Sequence, residues 1–147
     1  MKVSGSRKRY LRDENGTRKT LIIRRLYCEH CQKIHHELPD LIVPYRRYDS
    51  EAIEEIVSRE ESAVDVSCEN STIRRIKDWF FLFRKYVESC LQAITAIFAR
   101  DAELVRELKQ FVPLEVKRLA AGWLKYLVRI IVYSGRWPQT RSAFKSI

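Results

Sequence analysis

Glycine and proline are scarce in this chain, four of each among 147 residues, and no internal repeat or low-complexity tract interrupts it. That excludes repeat arrays and linker-like proteins. Long uncharged apolar runs are also missing. The most apolar stretch, Leu114–Tyr133, is broken by Glu115, Lys117, Arg118, Lys125 and Arg129, whereas a membrane span needs about 20 mostly uncharged residues. No apolar run follows the basic N-terminal residues, so no secretory leader is expected and the cytoplasm is the expected compartment. Carboxylates able to converge on two metal ions for strand transfer are lacking too. They crowd one apparently helical segment with no α/β domain behind it, so no enzyme activity is expected.

What the chain does have is positive charge in two blocks. The formal net charge is +9, and it is unevenly spread. Residues 1–48 hold twelve Lys/Arg against five Asp/Glu, residues 49–70 one against eight, and residues 71–147 fifteen against six. Two basic regions flanking an acidic segment suit a polyanionic partner. The length fits one ordinary domain or two very small ones.

The four cysteines divide into a pair and two singles. Cys68 and Cys90 lie in or beside apolar helical pattern and read as buried thiols. Cys28 and Cys31 form a C-x2-C turn followed by His35 and His36. Two thiolates and an imidazole at this spacing can converge on zinc, which in structural sites takes four N/S ligands. The candidate metal ligands are therefore Cys28, Cys31, His35 and His36. A pair of reduced, metal-free thiols fits the same residues.

Ahead of the cysteines, Ser6–Asp13 and Thr17–Cys28 read as the arms of a β-hairpin around Asn15-Gly16, with a type I′ turn expected at that dipeptide. Its arms carry Arg7, Lys8, Arg9, Arg24 and Arg25, placed to lie along a phosphate backbone. A hairpin that is merely solvated has the same composition. Pro39 and Pro44 then impose an extended connection up to Tyr48.

Helices follow. Ser50–Arg59 has Ile53, Ile56 and Val57 on one face. Glu61–Val66 is a shorter candidate, and a long helix begins at Asn70 or Ser71, either of which can cap it. Apolar residues from Ile73 to Phe98 recur at three and four, and Trp79, Leu82 and Tyr86 widen the stripe, predicting partners on two sides. Ala102–Val112 and Leu114–Ser134 are the last helices, the second ended by Gly135. The tail from Arg136 to Phe144 is expected to dock through its aromatic residues.

Ala63, Ser67, Ile73 and Ile76 fall at the offsets of a helix-turn-helix whose turn is Ser67–Glu69. The N-terminal turns of its second helix would enter the major groove of double-stranded DNA, bringing Asn70, Ser71, Thr72, Arg74, Arg75 and Lys77 to it. A purely structural acidic hairpin is the competing reading.

Taken together, certain stretches resemble one family of short bacterial proteins. They are Ile23-Arg24-Arg25-Leu26-Tyr27-Cys28-x-x-Cys31-x-x-x-His35, Leu38-Pro39-Asp40, Val43–Tyr48, Ser71–Arg75 with Trp79-Phe80, and Trp137-Pro138-x-Thr140-Arg141-Ser142-Ala143-Phe144. The family carries a domain of unknown function and is transposase-like and mobile-element associated. The resemblance implies a zinc ribbon with a helix-turn-helix behind it, and a first Cys-Pro-x-Cys pair that this chain lacks before Lys2.

The expected fold is thus mainly α: a β-hairpin with a partial zinc-ribbon knuckle in residues 1–48, and a helical bundle containing a helix-turn-helix in residues 49–147. The expected function is non-catalytic DNA binding, with zinc as cofactor and a homodimer as a further partner state. A protein-interaction module, or the remnant of a transposase, is the alternative.

Overall fold

Lys2–Arg12 and Arg18–Cys28 form β1 and β2, an antiparallel hairpin with Arg12 opposite Arg18 and Lys2 opposite Tyr27. These strands come from a computed structural model that describes residues 1–39, 43, 46–137 and 140–142. The hairpin is the expected one, but its turn is not type I′. Only Gly16 takes positive φ, at 76°, while Asp13 Oδ1 accepts from the N–H groups of Asn15 and Thr17 at 3.0 and 2.9 Å. The Asp13 carboxylate thus organises a wider turn, leaving one left-handed position for the glycine.

The chain does not leave the sheet at the cysteines. Lys33–Leu38 turns back as β3, antiparallel to β2, with Leu26 opposite His35 and Arg25 opposite His36. Thr140–Ser142, β4, pairs parallel with β3 and completes a sheet of order β1-β2-β3-β4. The fold is therefore mixed, not mainly α. A six-residue strand with two adjacent histidines has too little apolar alternation to declare itself, and cross-strand hydrogen bonding decides its state. The tail docks through β4 and through Trp137, whose ring lies 5.3 Å from that of Phe83. Pro138 and Phe144 lie outside the described residues, as do Asp40, Leu41, Ile42, Pro44 and Tyr45 of the expected extended connection.

Helix α1 spans Ser50–Ser58, capped by buried Asp49, whose carboxylate accepts from the Ala52 N–H at 2.8 Å. The predicted next helix is only a single 3-10 turn, Glu61–Ala63. Ser67 N–H donates instead to the Glu14 carbonyl at 2.8 Å, and a Cβ on Gly16 would stand 3.2 Å from Ser67 Cβ. The hairpin tip thus claims the backbone that a helix-turn-helix would need, and no such motif forms here. Helix α2, Asn70–Ile97, runs 28 residues, or about 42 Å. Neither Asn70 nor Ser71 caps it; Glu69 occupies that position without a side-chain bond.

Ala102–Lys109 is α3. The single helix expected over Leu114–Ser134 is split into a 3-10 turn at Val116–Arg118 and α4 at Trp123–Tyr133, because Gly122 takes φ 91° between them. The Gly135 cap is as expected: its N–H reaches the Val132 carbonyl, and Arg136 N–H reaches that of Ile131. The start of α4 is held from far away. Glu54 of α1 accepts from the N–H groups of Gly122 and Leu124 at 2.8 and 3.1 Å. Glu54→Ala is expected to cost about 1–2 kcal/mol, the range for a lost helix cap, in a urea unfolding titration.

The main core joins α1, α2 and α4 through residues such as Ile53, Ile56, Val87, Leu91, Leu124 and Ile131. A smaller cluster of Leu11, Ile23 and Leu38 lies on one face of the sheet. Of the residues that widen the α2 stripe, Trp79 packs against the core, whereas Leu82 and Tyr86 remain 69% and 43% exposed. No helix among the described residues is long and apolar enough to cross a membrane.

Candidate metal centre and basic trough

Strand alternation sorts the site residues. Side chains two apart share a face, and directly opposed residues share it too. One face therefore carries Lys8, Tyr10 and Arg12 of β1, Arg18, Ile22, Arg24, Leu26 and Cys28 of β2, and His35 and Glu37 of β3. The other carries Arg7, Arg9, Leu11, Ile23, Arg25 and His36.

That sorting places Cys28 and His35 together, and the turn beyond Cys28 returns Cys31 to them. The ligand atoms of these three lie within 4.8 Å of one another, close enough to hold a metal ion. Cys31 Sγ is 3.1 Å from His35 Nε2. Hydrogen bonds from the Cys31 N–H, its thiol and the His30 N–H hold the Cys28 thiol below its usual pKa, the first being the largest cause. Gln32, at φ 55°, makes the left-handed residue that lets the turn close so tightly.

His36, a predicted ligand, is not part of the cluster. The two-residue period points it to the opposite face, where burial, and then Arg7, Arg25 and Arg9, lower its pKa. The zinc-ribbon expectation is corrected as well. A ribbon clasps its ion between two knuckles, and among the described residues there is one group of three ligands, at the end of the antiparallel β1-β2-β3 part of the sheet.

The predicted DNA-facing residues separate into those that line neither of two basic grooves and those that line one. Arg24 is bound side-on by Glu37, at 2.5 and 2.9 Å. Arg74 pairs with Glu61 at 2.9 Å, and Lys77 donates to the Arg59 carbonyl. The acidic segment thus runs beside the start of α2. Asn70 and Ser71 are exposed at that start, with Ser71 Oγ 3.4 Å from a Glu69 oxygen. Arg25 is half-buried on the His36 face.

The others converge. A groove of about 570 Å³ along β1 is lined by Arg7, Lys8, Arg9, Tyr10, Leu11, Arg12, Arg18 and Arg47. A second, of about 400 Å³, is lined by Arg12, Arg46, Arg47, Tyr48, Ile53, Thr72, Arg75 and Ile76. Sharing Arg12 and Arg47, they make one trough from the hairpin to the first turns of α2, with eight cationic side chains and no carboxylate in its lining. Backbone pairing joins the two parts: Arg12 N–H donates to the Arg47 carbonyl at 2.8 Å, and Asp49 N–H to that of Arg12 at 2.9 Å. Arg9 Nη2 reaches the Arg46 carbonyl at 2.6 Å, and the Arg46 guanidinium lies 4.3 Å from the Trp79 ring centre. Burial lowers the Arg46 pKa from its very high ordinary value.

Arg46 and Arg47 did not stand out as site residues. Their signal was a pair of arginines after the second proline, immediately before the acidic helix; only the bridge from Arg12 to Tyr48 reveals which strand they extend.

Searches of the curated proteins and of the solved structures return no match. One family does match, over residues 1–76, a span holding the three-ligand cluster and every residue lining the trough. Its description assigns no activity and no relation to transposases. The chain belongs to the family described as Domain of unknown function (DUF6431).

Proposed function

We propose that this protein is a non-catalytic DNA-binding protein that holds the phosphate backbone in the basic trough. The observation that supports this reading is the lining itself: eight cations and no carboxylate, drawn from β1, β2, the 46–47 segment and α2. Guanidinium groups make paired bonds to phosphate oxygens, and displaced counterions supply much of the free energy. Such contacts fix position and carry no sequence information by themselves. Anisotropy of a labelled duplex, titrated at several salt concentrations, is the test. If the trough engages about five phosphates, the logarithm of affinity falls against that of salt with a slope of about −4 to −5. Salt-independent binding, or none at 50 mM salt, would overturn the reading.

Zinc is the proposed ion for Cys28, Cys31 and His35. Two thiolates and an imidazole form a soft donor set suited to it, and one tetrahedral position remains for a further ligand. When bound, the ion would supply structural cross-linking, pinning the β2–β3 turn to β3. Titration with Co²⁺ as a spectroscopic probe is expected to give thiolate charge-transfer bands at one equivalent. Cys28→Ser and Cys31→Ser should each abolish them, and His36→Ala should leave them in place.

A further inference from the structure

The sheet face that carries the metal cluster continues into an open platform. Tyr10 is 48% exposed and Ile22 73%, and they are diagonal neighbours, since Lys8 opposes Ile22 and Tyr10 opposes Thr20. The Arg18 guanidinium lies over the Tyr10 ring, 3.9 Å from its centre. Lys8, Arg12 and Arg24 complete the cationic surround on this face. Its carboxylate from β3, Glu37, is taken up by Arg24. A phosphate backbone explains the cations. It does not explain an exposed ring and an exposed isoleucine between them, because a duplex keeps its base faces stacked inside.

We infer that the trough receives unpaired nucleotides, with a base stacked on the Tyr10–Arg18 pair and the flanking phosphates on Lys8 and Arg12. This rests on the DNA-binding reading above and names the form of nucleic acid. Three features favour it over a bare cation–π contact. The guanidinium lies over the ring, and both side chains still meet solvent. Side chains at 8, 10 and 12 are about 6.8 Å apart along one strand face, so cation, ring and cation alternate in the order of phosphate, base and phosphate. And Lys8, Tyr10, Arg12 and Arg18 of the platform also line the groove along β1, to which Arg47 adds charge, without a carboxylate. Basic grooves that combine charge with base-stacking aromatic side chains hold single strands without sequence preference.

The test uses the full chain with three probes: oligothymidylate, the same strand carrying one 2-aminopurine, and a blunt hairpin duplex of matched phosphate number. Tyr10→Leu is expected to weaken single-strand binding about tenfold and to remove the quenching of 2-aminopurine, while Tyr10→Phe preserves both. Tyr10→Leu should weaken duplex binding several-fold less than single-strand binding, because a duplex keeps its bases from the ring. Circular dichroism checks that both variants keep the fold, which the exposure of Tyr10 favours. If Tyr10→Leu binds the single strand as the parent does while duplex binding persists, stacking is overturned and backbone binding stands. If no probe binds, both readings fall. Two other outcomes also overturn stacking: a poly-glutamate peptide that binds as tightly as the strand, or self-association of the free chain that Tyr10→Leu abolishes.

Discussion

Replacing Arg12 and Arg47 together by glutamine is expected to lower DNA affinity about a hundredfold at 50 mM salt and to flatten the salt slope by about two. These are the residues common to both halves of the trough, so their loss interrupts it in the middle. A charge-assisted hydrogen bond contributes about 1.5–3 kcal/mol, and two of them amount to a factor of a hundred or more. Arg74→Gln is the matched control. Its guanidinium is held by Glu61, so removing the charge should change affinity by less than about twofold. The opposite ranking would restore the first turns of α2 as the principal contact. Arg12 also reaches the Gly16 carbonyl at 3.2 Å, so thermal melts should accompany the binding data to show that the hairpin persists.

Phe83→Ala is expected to cost about 3–5 kcal/mol and to lower Tm by about 10 °C. The ring is buried and stacks on Trp79 at 4.7 Å, with Trp137 at 5.3 Å and Phe80 at 6.3 Å. Its removal leaves a cavity beneath both tryptophans and loosens the segment leading to β4. Phe81, the next but one residue back along α2, is 57% exposed, and Phe81→Ala should stay within about 0.5 kcal/mol of the parent. Scanning calorimetry of the two variants side by side measures the contrast. Equal shifts would mean that α2 is packed on a different face.

The contrast between these phenylalanines was legible in the sequence, because helical spacing puts Ile73, Ile76, Phe80, Phe83 and Val87 on one stripe. So was the hairpin, from Asn15-Gly16, and the end of α4, from Gly135. Each depends on residues within a turn of one another. The start of α4 was not legible, since its cap comes from Glu54, nor was β3, whose hydrogen bonds go to β2. Ser67 misled for the same reason. Its spacing from Ala63 and Ile73 suited a helix-turn-helix, yet its N–H belongs to Glu14, far back in the hairpin turn. The metal ligands divide along the same line. The pair Cys28 and Cys31 announces itself by spacing, but choosing His35 over His36 requires the register of the strand that carries them.

The length of α2 also bears on how this family is to be cut for experiment. The matched span stops at Ile76, seven residues into a helix of 28. Those residues make about two turns, too few to persist alone in water. Most of the core cluster that holds Ile53 and Ile56 arrives later in the chain, with Phe83, Val87 and Leu91 of α2 and Leu124, Leu127 and Ile131 of α4. A fragment trimmed to the family boundary would keep the thiols and the arginines while removing the wall behind them. The stretch by which relatives are recognised carries the ligand cluster and the basic trough, and the rest of the chain is their foundation.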